Sequence, residues 1–291
     1  MVLLHLANAQ PSEEVPNQFK SRDHIDLVCT MNYEKLASQI GLMTMNTTLH
    51  RAFKQGNVLK IITGLNNFDF SSVAATVKAA TLGGATFLDI AADPDLVRMV
   101  RQLTDLPICV SAVEPELFVK AVAAGADLIE IGNFDSFYAQ GRRFEAAEVM
   151  ALTKKTRSLL PEITLSVTVP HILELDQQVQ LAEALVKAGA DIIQTEGGIS
   201  SSPTHAGTLG LIEKAAPTLA AAYEISRAVS VPVLCASGIS NVTAPMAIAA
   251  GAAGVGVGSA INQLNSEVAM VAAVRSLVEA LSQVSRQQVR A

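Results

Sequence analysis

From Val58 onward, short runs of β-branched and aliphatic residues alternate with Ala-rich stretches of helical period. The apolar runs occupy positions 58–63, 86–90, 108–113, 128–131, 164–169, 192–195, 233–236 and 254–257. Strands that alternate with helices pair in parallel, because each helix carries the chain back to the same edge. Eight such units in one chain close most simply into an α/β (β/α)8 TIM barrel.

Self-similarity strengthens this reading. Gly84-Ala85-Thr86-Phe87-Leu88-Asp89, Gly125-Ala126-Asp127-Leu128-Ile129-Glu130, Gly189-Ala190-Asp191-Ile192-Ile193-Gln194 and Gly251-Ala252-Ala253-Gly254-Val255-Gly256 introduce the second, fourth, sixth and eighth strands with one phrase. The glycine ends a helix as its C′ residue and a strand follows at once. The odd strands lack that phrase, and Pro107 and Pro232 precede two of them. The repeating unit is therefore a quarter-barrel of two βα modules. Alternate strands of a TIM barrel fill one interior layer. If the repeat keeps register, Asp89, Glu130, Gln194 and Gly256 share a layer near the C-terminal mouth; a slip of one residue would turn them outward. Lys60 interrupts the first apolar run, and an inward ammonium needs a carboxylate, for which Asp89 is the natural partner. Two roles stand open for Lys60: Schiff-base nucleophile or proton carrier, and an ion pair that fixes the core.

Composition narrows the class. The chain has 291 residues, half of them hydrophobic and few aromatic, as expected of parallel strands covered by helices. A net charge of −6 and no run of Lys or Arg argue against a nucleic-acid partner. No stretch is long and apolar enough for a membrane span. Cys29, Cys109 and Cys235 show no metal-type spacing, so a reducing, cytoplasmic compartment is expected and no metal site.

Active sites of this fold lie at the C-terminal strand ends. The polar residues there are Asn66, Asn67, Asp89, Asp93, Ser111, Glu114, Glu130, Asn133, Asp135, Thr168, His171, Gln194, Glu196 and Ser237. Asp89 and Glu130 are the expected proton-transfer pair, and Asn66, Asn67, Thr168, Gln194 and Glu196 the expected substrate contacts. The sharpest signal is Ser237-Gly238-Ile239 after strand seven, paired with Gly258-Ser259 after strand eight. Glycines let backbone amides approach an anion, and a helix start after Ser259 adds a positive dipole end. These turns are expected to hold a phosphate by directional hydrogen bonds, since no cationic residue occurs between Arg227 and Arg275. The stretch 196–217 reads as a long loop rich in Gly and Ser, including Gly197, Gly198, Ser200, Ser201, Gly207 and Gly210, and so as a lid. His205 within it is a candidate acid or base, or a solvent-facing histidine.

Residues 1–44 show no period the barrel requires and read as an extension, with a short helical arm at 33–41 or a translation start annotated too far upstream as alternatives; 45–291 is the barrel. The string Gly64-Leu65-Asn66-Asn67-Phe68-Asp69 after Leu59-Lys60-Ile61-Ile62-Thr63 resembles the hypothetical chloroplast frame twenty-three family of cyanobacteria and algal plastids. The resemblance runs from about Met45 to the last helix. It implies an aldolase-type barrel and a photosynthetic source, hence the plastid stroma if the chain is plastid-encoded, and no established activity. The glycine turns more loosely resemble thiazole synthase and the flavin barrel nitronate monooxygenase. The expectation is an enzyme of lyase, isomerase or synthase type acting on a small phosphorylated metabolite, with a homo-oligomer as one option for its assembly. The alternatives are an oxidoreductase holding flavin mononucleotide (FMN) in the same grip, and a non-catalytic sensor or assembly factor.

Overall fold

The computed structural model describes residues 47–138, 140–197 and 202–288. The extension 1–44, with the arm at 33–41, lies outside them. Eight parallel strands close in sequence order: β1 Val58–Ile62, β2 Phe87–Ala91, β3 Ile108–Ala112, β4 Leu128–Ile131, β5 Thr164–Thr168, β6 Ile192–Thr195, β7 Val233–Ala236 and β8 Gly254–Val257. β1 pairs with both β2 and β8, with Lys60 opposite Phe87 on one side and Gly256 on the other.

The helices are α1 Thr47–Gln55, α2 Phe70–Gly83, α3 Pro94–Arg101, α4 Pro115–Ala123, α5 Asp135–Tyr138, α6 Ala146–Leu159, α7 Leu175–Lys187, α8 Gly207–Ala228, α9 Ala244–Ala249, α10 Ser259–Asn262 and α11 Glu267–Gln288. Local chemistry starts several of them. The Asp69 carboxylate accepts from the N–H groups of Ser71 and Ser72 at the head of α2, and Asp93 caps Asp95 and Leu96 in the same way at α3. The glycines of the quarter-barrel phrase, Gly84, Gly125, Gly189 and Gly251, all adopt left-handed φ between 88° and 112°. A side chain there would be strained, so the recurring glycine is the helix stop itself.

Strand residues alternate between two cores. Leu59, Ile61, Leu88, Ile90, Ile129, Val167, Ile193 and Val255 point out and pack with helix residues such as Val77, Leu96, Phe118, Leu181 and Val274. Each such side chain contributes on the order of 1.5–3 kcal/mol of transfer free energy. Inside the barrel, Val58, Phe87, Cys109, Leu128, Ile192 and Leu234 form a separate lower cluster. Leu49 and Phe53 of α1 join it from below, so a helix that the sequence pattern did not single out stoppers the barrel. Above this apolar floor the interior turns polar.

One expected loop is half helix. The span 196–217 was read as loop because of its glycines and Pro217, yet α8 begins at Gly207. Gly210 fits because a Cβ there would fall 2.1 Å from the His205 carbonyl oxygen, a contact only glycine avoids. Pro217 sits inside the helix against Gly197, at the expense of one backbone bond. Of the expected lid, 198–201 lie outside the described residues, 202–206 are loop, and 207 onward is helix.

Candidate functional site

Halfway up the barrel lies a closed ionic network. Lys60 Nζ donates to Asp89 Oδ2 at 3.0 Å and to Glu130 Oε2 at 2.8 Å, and all three side chains are buried. Ser111 Oγ donates to Asp89 Oδ1 at 2.5 Å, and Ser166 Oγ to Glu130 Oε2 at 2.7 Å. Gln194 Nε2 donates to Glu130 Oε1 at 2.7 Å and to Thr168 Oγ1 at 3.2 Å. Asp89, Glu130 and Gln194 therefore face inward on their even strands. Gly256 completes the layer: a Cβ there would meet Ala236 at 3.0 Å and Ile62 at 3.1 Å. Burial by itself would lower the Lys60 pKa, but Asp89 and Glu130 outweigh it and hold the ammonium above its ordinary range. Burial pushes the Glu130 carboxyl up, against the pull of Lys60.

Above this network opens a cavity of about 490 Å³. Its floor includes Ile62, Gln194 and Gly256, one wall Asn133, Asp135 and Glu196, and the other the turns Ser237-Gly238-Ile239 and Gly258-Ser259-Ala260. Among the described residues, only Asn133 (φ 60°) and Ser237 (φ 70°) are non-glycine residues in the left-handed region, and both line this cavity. Such strain costs of order 1–3 kcal/mol and persists where the surroundings over-determine it. Here Ser237 Oγ donates to Asp135 Oδ2 at 2.8 Å, and Asn133 Nδ2 reaches Ser111 Oγ at 3.2 Å and Asp89 Oδ2 at 3.4 Å.

The wall between β4 and β6 carries a second polar cluster. Tyr138 Oη donates to Glu196 Oε1 at 2.7 Å, the backbone N–H of His171 donates to the same oxygen at 3.1 Å, and the Tyr138 and His171 rings meet edge to face at 4.9 Å. His171 Nε2 stands 3.5 Å from Asp135 Oδ1. Burial, then the neighbouring Asp135 charge, pushes the Glu196 carboxyl up to about 8. Burial also raises Asp135 and lowers the His171 imidazole.

Several expected roles do not match these positions. Asp89 and Glu130 lie beneath the cavity with their oxygens engaged by Lys60, Ser111, Ser166 and Gln194; the carboxylates on the cavity wall are Asp135 and Glu196. His205 is exposed, lies outside the cavity lining, and is hydrogen-bonded through Nδ1 to Glu213 Oε1 at 2.6 Å. Glu213 also accepts from the N–H groups of Thr204 and His205, which ties the loop to α8. Asn66 is exposed, and Asn67 serves the β1–α2 turn by donating to Thr63 O and Ser72 Oγ; neither lines the cavity. Thr168 is buried under Gln194. α10 is a single turn, so the expected macrodipole is small there, although the first amides of a helix still have no internal partner.

Some site residues escaped the sequence reading. Ser166 and Tyr138 sit in stretches with no chemical motif, and Lys214 lines the cavity from α8. Lys214 supplies the cation that the sequence between Arg227 and Arg275 lacks.

The fold and site define a (β/α)8 barrel with a mixed cationic, acidic and glycine-lined mouth. Residues 45–287 match the family described as "Protein of unknown function (DUF561)", and the chain belongs to it. Relatives described as "Uncharacterized protein ycf23" include one from Porphyra purpurea, 40% identical over 240 residues, covering 82% of this chain and 91% of that protein. Another, from Cyanophora paradoxa, is 46% identical over 228 residues, 78% of this chain and 93% of that protein. Among solved structures, thiamine phosphate pyrophosphorylase from Pyrococcus furiosus superposes with a TM-score of 0.53 at 21% identity, covering 79% of this chain and 98% of that one. (S)-3-O-geranylgeranylglyceryl phosphate synthase from Thermoplasma acidophilum, in complex with sn-glycerol-1-phosphate, gives 0.55 at 16% identity, covering 82% and 100%. At these identities the likeness shows the fold. Among the described residues, no helix is long and apolar enough to cross a membrane.

Proposed function

We propose that the protein is an enzyme acting on a small phosphorylated metabolite, with the phosphate held between the turns after β7 and β8. The observation that carries the reading is the cavity itself. One wall is made of Gly238-Ile239 and Gly258-Ser259-Ala260, and Lys214 and the acid and amide groups of Asp135, Glu196, Asn133 and Gln194 share the space. Anion-binding amides on one side and proton-handling groups on the other are what a phosphorylated carbonyl or hydroxyl compound requires. Barrels commonly hold phosphate at this place, and the structural neighbours from Pyrococcus and Thermoplasma are named for phosphate compounds. Within this reading Lys60 acts as a fixed electrostatic support: it is buried, charged and already shared by two carboxylates. Lys214 on the cavity lining is a cation that an FMN phosphate could also use, so a yellow purified protein would favour the oxidoreductase reading.

The test is a thermal-shift and calorimetric titration with inorganic phosphate, glycerol phosphate and glycerol. Glycerol phosphate is expected to raise the melting temperature where glycerol does not. Ser259→Asp sets a carboxylate at an exposed turn position and should remove the shift without unfolding the chain. Equal responses to glycerol and glycerol phosphate, or an unchanged response in Ser259→Asp, would overturn the phosphate assignment.

A further inference from the structure

Three side chains on the β4–β6 wall carry polar atoms that nothing fills. Asp135 Oδ1, both ring nitrogens of His171 and Glu196 Oε2 are buried and have no hydrogen-bond partner among the described residues. Native interiors leave only a few such atoms unpaired, and here four of the six found among the described residues gather in one place. We propose that Asp135, His171 and Glu196 bind one divalent first-row transition-metal ion at the mouth of the barrel.

The geometry supports a built site. One ligand atom from each residue lies within 4.8 Å of the others, with His171 Nε2 and Asp135 Oδ1 at 3.5 Å. An ion with bonds of about 2.1 Å spaces neighbouring ligands about 3.0–3.4 Å apart, so small side-chain adjustments close the set around it. The residues follow three successive strands: Asp135 opens α5 after β4, His171 follows β5 and Glu196 follows β6. Glu196 is 4% exposed, which excludes a loose surface cluster.

The remaining atoms of the same groups are pinned. Ser237 Oγ holds Asp135 Oδ2, while Tyr138 Oη and the backbone N–H of His171 hold Glu196 Oε1. Each carboxylate thus has one oxygen anchored by hydrogen bonds and one with no hydrogen-bond partner. The Tyr138 and His171 rings stand nearly perpendicular, at 87°, which packs the imidazole against the tyrosine. Outer groups that orient ligands in this manner are a regular part of metal sites.

Ligand chemistry sets the ion class. One imidazole nitrogen and two carboxylate oxygens, with no thiolate, suit Mn2+, Fe2+, Co2+ or Zn2+ better than Ca2+ or Cu+. Three protein ligands leave coordination positions for water or a substrate oxygen, and Asp135 and Glu196 line the cavity where such an oxygen would sit. A cation there also balances two carboxylates in a space proposed to admit an anion. Metal binding stands apart from the phosphate reading, because it is measurable with no phosphate compound present.

The test titrates Mn2+ alone into the full chain after chelator treatment, following free Mn2+ by electron paramagnetic resonance. One ion per chain is expected to bind saturably in the micromolar range. His171→Ala and Glu196→Gln should each weaken binding at least about tenfold. Glu213→Gln, which alters the exposed His205–Glu213 pair, should leave it unchanged. Pulsed resonance of the wild-type complex should show coupling to an imidazole nitrogen, a readout independent of whether the variants fold. No saturable binding, undiminished binding in both variants, or no nitrogen coupling in the wild type would overturn the assignment.

Discussion

Lys60→Met keeps the apolar stem of the side chain and removes the ammonium that Asp89 and Glu130 hold at 3.0 and 2.8 Å. Taking away one partner of a buried ion pair costs about 3–5 kcal/mol, because the charge left behind keeps its desolvation penalty without the attraction. Asp89 retains Ser111 and Asn133, and Glu130 retains Ser166 and Gln194, so the expected loss stays within that range, at about 4 kcal/mol. For a chain of this size that corresponds to a fall of about 8–16 °C in melting temperature. The loss should also depend on pH. Burial already pushes the Glu130 carboxyl up, and without Lys60 the largest opposing influence is gone, leaving the Ser166 hydrogen bond. A folded-state pKa above the unfolded value means the folded variant binds the extra proton, so its stability falls as pH rises. The deficit should therefore be larger near pH 8 than near pH 5. Urea denaturation of both chains at the two pH values measures it. Asp89→Asn in the Lys60→Met background should recover part of the loss by removing one uncompensated charge. A variant that melts with the wild type, or a deficit equal at both pH values, would refute the picture of a charged, tightly coupled axis.

Phe53→Ala, which empties the stopper below the barrel, is expected to cost about 3 kcal/mol and lower the urea midpoint without changing the slope; an unchanged midpoint would show that α1 is dispensable to the core. Lys60 should give no borohydride-trapped adduct with glyceraldehyde phosphate in the native protein, read by peptide mass spectrometry; an adduct on Lys60 would reinstate a Schiff-base role.

What the sequence revealed depended on how local the determining physics was. The strands at 128–131, 192–195, 233–236 and 254–257 match the structure to the residue, since a helix-stopping glycine or a proline stands shortly before each, while β2 behind Gly84 begins one residue later than its apolar run. The inward layer of Asp89, Glu130, Gln194 and Gly256 followed from the same repeat, since register is inherited with the phrase. Function was less legible because it depends on distance across the barrel. Tyr138 and Glu196 are 58 positions apart, and Ser237 and Asp135 are 102 apart, yet both pairs are hydrogen-bonded. Asp89 and Glu130 were recognisable as inward carboxylates, but only the closed barrel shows that their oxygens are already occupied. Lys214 was hidden because Gly207, Gly210 and Pro217 made its helix look like loop. α1 escaped notice for another reason: in Thr47–Gln55 only a few apolar residues, Leu49 and Phe53 among them, carry the contact.

The stopper and the ionic axis together have a kinetic consequence. Leu49 and Phe53 plug one end, and Lys60 with its two carboxylates fills the middle, so among the described residues the barrel interior is blocked below the cavity. The cavity is thus closed from below, and a small molecule bound there would reach solvent through the loops at the C-terminal strand ends. Under the proposed function, the same loop residues would set both how fast a ligand arrives and how fast it departs.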